Sequence, residues 1–344
     1  MQTQWMVQTH GDPIGTVRRF LQAVWSQTSL DSMLVPLNGS DEAPPKPRWI
    51  EDPAKLKGVN PFKPLMTVNA ARFVPTARRE RPDACLGALL RPCEMRALVE
   101  MVKHDGFAID RLMTISFDCL GTIPLDEYQW RVSRKDRADG LTHDTLQFAR
   151  QGGILAYRYR SACQMCASPE ARDADLNINV LGLPVRQMIL VQARDPLTAE
   201  RCNLASISDE PAGHEMLQQH ERVIARMSER HRRTIERVAQ SLGDAFPRDL
   251  DTLVAQLDSC GDCQACMQVC PICSVDYPTR GLTGHFERKD IIGWLISCAG
   301  CGMCEQACSK RLPLSAIFRH IRNLLAEEYG YTPGHSVDEP LPVL

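Results

Sequence analysis

The chain has 344 residues, with 40 Lys plus Arg against 42 Asp plus Glu and a formal net charge of −2. Its basic residues are spread along the sequence, which argues against a nucleic-acid footprint, and 44% hydrophobic with 24% charged residues is ordinary for a folded protein long enough for more than one domain. The unusual number is 15 cysteines. The opening MQTQWMVQTHGDPIGTVRRF has no apolar signal core, and no apolar run approaches the roughly 18 residues of a membrane span. Grouped metal-binding thiolates in a reducing, cytoplasmic compartment are therefore expected, rather than disulfides.

Residues 1–28 predict a leader and then a helix, with Val17, Phe20, Leu21 and Val24 on one face. Met33 to Leu37 predicts a short strand. Residues 38–64, rich in Pro, Gly and charge, predict an irregular stretch. Leu86 to Leu90 and Leu112 to Phe117 predict strands on either side of a helix over Glu94 to Lys103, which Gly106 closes. Asn177 to Leu181 and Gln187 to Gln192 predict two more strands. A strand–helix–strand order of this kind favours a mixed or parallel sheet. Residues 213–242 are polar, charged and free of Pro, and predict one long helix that bridges domains. The tail from Leu312 predicts a helix over SAIFRHIRNLLAEEY and then a Pro-rich end.

Two cysteine runs dominate the last third. The first is Cys260-x2-Cys263-x2-Cys266-x3-Cys270-Pro271, and the second is Cys298-x2-Cys301-x2-Cys304-x3-Cys308. Each is the run used by bacterial-type [4Fe–4S] ferredoxins, in which three thiolates on a tight turn take three corners of a cluster and the fourth Cys reaches the neighbouring cluster. By that rule Cys260, Cys263, Cys266 and Cys308 hold one cluster, and Cys298, Cys301, Cys304 and Cys270 hold the other. Gly261, Gly300 and Gly302 let the backbone turn closely around the sulfides. The second run has Ser309 where the first has Pro271. Two zinc sites are the alternative, but zinc ribbons pair two CxxC units and do not use a triple followed by a fourth Cys. Cys85, Cys202 and Cys273 fall outside both runs and are expected as small buried hydrophobes.

Four cysteines remain upstream: Cys93, Cys119, Cys163 and Cys166. Cys93 follows Arg91-Pro92 at the start of a helix, where the dipole would lower its pKa. Cys119 follows a strand, in SFDCLGT, and Cys163-Gln-Met-Cys166 is a CxxC. At loop ends of an α/β domain these thiolates could hold a third cluster. A redox CxxC with two bystander cysteines is the other reading, although Pro169 and the acidic residues that follow do not suit a thioredoxin-type helix.

The segments Gly87-Ala-Leu-Leu-Arg-Pro-Cys93-Glu-Met-Arg-Ala-Leu98, Ile115-Ser-Phe-Asp-Cys119-Leu-Gly-Thr122, and Cys163-Gln-Met-Cys166 leading to Ala174-Asp-Leu-Asn-Ile-Asn179 occur in this order. Together they resemble the beta subunits of coenzyme F420-reducing hydrogenases and of formate dehydrogenases, over about residues 30–200. The resemblance implies that Cys93, Cys119, Cys163 and Cys166 bind a third [4Fe–4S] cluster beside FAD, the switch between hydride chemistry and single electrons. Relatives follow the CxxC strand with several glycines that admit the flavin closely, whereas residues 177–182 here have one, Gly182. No GxGxxG precedes a helix, so no Rossmann nucleotide site is indicated. Arg91, Arg96, Lys103 and Arg172 could face a flavin pyrophosphate, but each taken singly reads as a solvated charge. Asn69 reads equally as a ligand contact or a turn residue.

The expected fold class is an α/β (mixed α+β) domain over residues 1–210 and a helical linker over 211–246. A ferredoxin-like α+β dicluster module over 247–330 and a tail over 331–344 follow. The expected function is an electron-transfer beta subunit of a multi-subunit oxidoreductase, wired through [4Fe–4S] clusters to a catalytic redox subunit such as a formate dehydrogenase or hydrogenase. A flavin-free electron wire remains the alternative, with a maturation or regulatory iron–sulfur protein as a third class.

Overall fold

The structure, a computed structural model, describes residues 2–38, 43–134, 139–152, 158–171, 173–243, 247, 249–260 and 263–343. Arg172 and Gly261 lie outside the described residues.

The strands are β1 (Gln4–Gln8), β2 (Ser32–Leu37), β3 (Lys46–Ile50), β4 (Leu86–Leu90), β5 (Leu112–Phe117), β6 (Leu176–Asn179), β7 (Met188–Ala193) and β8 (Glu210–Pro211). They form one sheet in the order β3-β2-β4-β5-β6-β7-β1-β8. The central ladders β2/β4, β4/β5 and β5/β6 are parallel, and the flanking ones are antiparallel. The expected mixed sheet is present, with three further strands: β1 lies in the expected leader, β3 lies in the stretch expected to be irregular, and the two-residue β8 lies where the expected linker starts.

Both faces of the sheet are covered, and the pleat assigns alternate residues to each. Leu34, Leu86, Ala88, Leu90 and Leu112 pack on one face. Met33, Val35, Leu89, Met113, Ile115 and Phe117 pack on the other. Helix α1 (Pro13–Thr28) seals the second face with Val17, Phe20, Leu21 and Val24. Each such side chain contributes about 1.5–3 kcal/mol by leaving water. Asp12 caps this helix by accepting from Gly15 N, and Pro13 starts it. After α2 (Val74–Glu80), helix α3 (Pro92–Asp105) covers the first face. Its Glu94 closes a capping interaction with Arg91 N at 2.8 Å, and Gly106 ends it at φ 67°.

In the chain, short helices α4 (Leu125–Val132), α5 (Gly140–Gln147) and α6 (Ser161–Gln164) fall between β5 and β6, and α7 (Pro196–Arg201) and α8 (Leu204–Ile207) between β7 and β8. Helix α9 (His214–Leu242) is the long helix expected over 213–242. Its backbone at Gln219 and His220 closes over Gly182, Ser228 Oγ donates to Ala167 O at 2.7 Å, and Ile235 and Val238 pack with the C-terminal helices. No helix among the described residues is long and apolar enough to cross a membrane.

The C-terminal part holds α10 (Leu250–Ser259), α11 (Ala265–Gln268), α12 (Arg288–Ile296), α13 (Met303–Ala307) and α14 (Leu314–Tyr329). An α+β module was expected here. Among the described residues the only β pairing found is an isolated bridge between Arg280 and Phe286, and helices carry the rest. Their apolar side chains, including Leu253, Trp294, Leu295 and Phe318, share one core with Met95, Leu98 and Met101 of α3. The chain then folds back: Tyr331 Oη donates to Glu100 at 2.6 Å, and Gly334 N donates to it at 2.7 Å.

Candidate metal centre

Two neighbouring parallel strands deliver the first pair of upstream cysteines. Cys93 is the second residue of α3, just beyond β4, and Cys119 follows β5 by two residues. Cys163 lies in α6 and Cys166 in the turn after it. All four line a single cavity, together with Thr122, Tyr159, Arg160, His231 and Cys301. Backbone bonds fix the lining: Cys119 N donates to Pro169 O at 2.8 Å, and His231 Nδ1 donates to Cys166 O at 2.5 Å. Thr122 lies against Cys163 Sγ, with its Oγ1 at 3.2 Å and its backbone N at 3.4 Å.

Electrostatics distinguish these thiols. The dipole-lowered pKa expected of Cys93 does not hold: burial pushes it well above the usual thiol range, and Glu94 adds to the rise. Burial also raises Cys119, against the pull of Arg91. At Cys166 burial acts in the same sense, but Arg96 and Arg319 outweigh it, and the thiol falls below its ordinary value.

The two C-terminal runs are interleaved in space. Cys260, Cys263, Cys266 and Cys308 line one pocket, walled by Leu257 and Ile317. Cys270 lies instead with the second run, where Cys298, Cys301 and Cys304 each feel its charge. Burial pushes Cys301 and Cys266 up to about 11. Cys270 is held down at about 7, chiefly by a hydrogen bond from the Cys273 thiol, against burial, and also by Trp294, whose Nε1 is 3.2 Å from the sulfur. Cys202 and Cys273 are buried as expected and Cys85 is half-buried, but Cys273 also serves Cys270 as a donor.

The upstream cavity and the second run meet directly. Cys301 lines the cavity, and Gly302, at φ 69°, packs on Ala162 of α6 so closely that any Cβ would overlap the Ala162 methyl group. Around this contact stand the arginines Arg96, Arg160, Arg319 and Arg322. Arg160 and Arg319 are buried, and the other two are half-buried. None of the four makes an ion pair with a carboxylate among the described residues, and the Nε atoms of Arg160 and Arg319 have no hydrogen-bond partner. Burial lowers the pKa of Arg319, and burial together with Arg319 lowers that of Arg322 to about 10.

The expectation that Arg91, Arg96 and Lys103 are solvated charges is corrected. Arg91 is buried, donating to the carbonyls of Pro61, Lys63 and Leu65 and lying 3.8 Å from Cys119 Sγ. Arg96 lies 3.7 Å from Cys166 Sγ. Lys103 is tucked against Glu100 at 3.1 Å. Asn69 is a turn residue that accepts from Ala71 N at 3.1 Å.

One buried group had no signature in the sequence. Asp118 Oδ2 accepts from Val180 N, Leu181 N and His220 Nε2 at 2.8, 2.9 and 3.0 Å, and its Oδ1 accepts from Asn179 Nδ2 at 3.0 Å. Asp118, Glu170 and His220 bring three ligand-type atoms within 4.8 Å of one another. The Asp118 oxygens are already occupied, and the Asp118–His220 pair anchors the end of β6 to α9.

No family model matches the chain. The F420-dependent formate dehydrogenase subunit beta of Methanocaldococcus jannaschii is 23% identical over 299 residues, 76% of this chain and 76% of that protein. The F420-dependent formate dehydrogenase 1 subunit beta of Methanococcus maripaludis is 23% identical over 301 residues, covering 76% and 75%. The acetyl-CoA decarbonylase/synthase complex subunit alpha 1 of Methanosarcina mazei is 36% identical over 91 residues, 25% of this chain and 11% of that one. In a solved structure of the F420-reducing [NiFe] hydrogenase complex from Methanosarcina barkeri, derivatised with xenon, one chain superposes with a TM-score of 0.49 at 12% identity, covering 69% of this chain and 91% of its own.

Proposed function

We propose that this chain, related in sequence to the beta subunits of F420-dependent formate dehydrogenases, is the iron–sulfur, flavin-containing electron-transfer subunit of a multi-subunit oxidoreductase. It would pass electrons between a hydride carrier and a catalytic redox partner in the cytoplasm. The observation that carries this reading is electrostatic. Four buried or half-buried guanidiniums that make no ion pair with a carboxylate among the described residues lie around two convergent sets of cysteines. A buried cation is costly unless an anion compensates it, and a thiolate-ligated cluster is the anion those cysteines would hold.

Cys93, Cys119, Cys163 and Cys166 would hold one [4Fe–4S] cluster, Cys298, Cys301, Cys304 and Cys270 a second, and Cys260, Cys263, Cys266 and Cys308 a third. When bound, such clusters supply one-electron storage, and FAD supplies the exchange between hydride and single electrons. The chain's own residues contribute position and charge. Thr122 and Trp294 donate to the Cys163 and Cys270 sulfurs. Gly302 and Ala162 hold two of the sites against each other, and the arginines compensate charge. Zinc suits the arrangement less well. A tetrahedral zinc site draws its sulfurs to about 3.8 Å from one another, and among the described residues no three cysteine sulfurs lie within 4.8 Å of one another.

A flavin-free wire is the second reading. It is favoured by Gly182, whose open side is filled by the Gln219 carbonyl of α9, 2.8 Å from where a Cβ would stand. The deciding experiment is the iron, acid-labile sulfide and flavin content of protein purified without oxygen. About 12 irons with matching sulfide and about one flavin per chain support the full reading. About 12 irons without flavin support the wire, and about eight remove the upstream cluster. Cys301→Ala should lose about four irons; unchanged iron would show the ligand assignment to be wrong.

A further inference from the structure

Two of the four arginines tie the upstream thiols to the backbone of the Cys298–Cys301 turn. Arg160 Nη1 donates to Thr122 Oγ1 at 3.2 Å, the hydroxyl that touches Cys163 Sγ, and its Nη2 donates to the Cys301 carbonyl at 2.6 Å. Arg96 places Nη2 3.7 Å from Cys166 Sγ while its Nε donates to the Ala299 carbonyl at 3.2 Å. The other two come from α14. Arg322 Nη1 donates to the Cys298 carbonyl at 3.2 Å, and Arg319 Nη2 lies 3.2 Å from where a Gly300 Cβ would stand. The outer quartet has a different setting. Among the described residues the one cationic side chain in contact with its sulfurs is the exposed Lys310, with Nζ 3.8 Å from Cys260 Sγ.

This asymmetry has an energetic consequence. Reduction adds one negative charge to a site, and a fixed positive charge nearby favours the more negative form. The effect is larger where water is excluded than at a surface, where solvent and salt screen it. Net charge, hydrogen bonds to sulfur and solvent exposure are the terms that set cluster potentials. Resting on the cluster reading above, we propose that Arg96, Arg160, Arg319 and Arg322 form a cationic septum. It raises the reduction potentials of the two sites it separates above that of the outer Cys260/Cys263/Cys266/Cys308 site. Each site takes one electron from a one-electron reductant, dithionite in the test below. The guanidiniums remain charged throughout, so no proton accompanies the electron. The arginines act here as positioning and tuning residues.

The test is a potentiometric titration with dithionite of the full chain purified without oxygen, read by electron paramagnetic resonance. In Cys263→Ala one reducible signal should vanish, and in the unaltered protein that signal should titrate below the other two. In Arg319→Gln with iron retained, the two remaining signals should need a more reducing poise by at least tenfold in the reduced-to-oxidised ratio, 59 mV for a one-electron couple. The outer signal should not move, and Arg319→Lys should return the two potentials to those of the unaltered protein. An outer signal that titrates above either of the others overturns the proposal. So does an Arg319→Gln protein with full iron and unmoved potentials. If Arg319→Gln loses iron, the order seen with Cys263→Ala decides alone. Protein without iron and sulfide would sink the cluster reading itself, whereas full iron with the wrong order of potentials sinks only the septum.

Discussion

The contact between Gly302 and Ala162 is where two of the proposed sites meet, and it can be tested by stability alone. In Gly302→Ala the new methyl group would overlap the Ala162 side chain and approach Ser315 Oγ at 3.0 Å and Arg160 Nη2 at 3.1 Å. The backbone at φ 69° adds a left-handed penalty of about 1–2 kcal/mol for a residue with a Cβ. Overpacking costs about 1–3 kcal/mol more, so the expected loss is roughly 2–5 kcal/mol. With a urea m-value of about 3 kcal/mol/M, the unfolding midpoint should fall by roughly 0.7–1.7 M. Ala162→Gly alone should cost about 0.5–1 kcal/mol, because it sits in a short helix. The double variant should recover the overpacking part but not the backbone part. The coupling between the two sites should then exceed about 1 kcal/mol. Simple additivity, within about 0.3–0.5 kcal/mol, would refute the close approach.

Two further outcomes follow from buried polar groups. Burial alone would lower the His220 pKa, but Asp118, with smaller help from Glu170 and Glu221, lifts it above the ordinary 6.5. The stabilisation from its charged form is therefore complete below the unfolded value and is lost as pH rises through the higher folded value. Against His220→Gln, the unaltered protein should lose its advantage in urea midpoint as pH climbs upward from about 6.5; a constant difference would refute the pairing. Glu100→Ala removes the fully buried acceptor of Tyr331 and Gly334 and leaves Lys103 with Glu339 at 3.6 Å. Removing one partner of a buried pair costs about 3–5 kcal/mol, and the low end is expected because Glu339 remains. Chymotrypsin should cut at Tyr331 in the variant and spare it in the parent. Equal cutting in both would show that the tail is not held there.

The sheet strands β2, β4, β5, β6 and β7 were legible to within a residue or two, because short apolar runs bounded by turn residues carry a local signal. The same holds for α1, α3, α9 and α14, whose periodicity and stops are written in their own residues. β1 was missed because QWMVQ is short and its partner β7 is far along the chain. β3 was missed because it is an edge strand carrying Pro47, which reads as irregular until β2 is beside it. At the site, the grouping of the C-terminal cysteines could be read from their spacing, whereas that of Cys93, Cys119, Cys163 and Cys166, which line one cavity, rested on the resemblance. The arginines were not legible: Arg96, Arg160, Arg319 and Arg322 come from three separate segments, and each looks like a surface charge until the chain brings them around one contact. Asp118 and His220 were hidden for the same reason, since a buried pair formed between β5 and α9 leaves no local pattern.

The return of the tail to Glu100 gives the C-terminal helices two tethers to the sheet domain. The chain enters them from α9, which grips the turn at Gly182 and the carbonyl of Cys166, and leaves them through Tyr331 and Gly334, which are bound to α3. A shared apolar core lies between the tethers and packs the C-terminal helices on α3. On the cluster reading proposed above, the spacing of the two sites across the Gly302 contact is set by this packing. Electron transfer between those proposed sites would then cross a packed contact rather than a gap between domains.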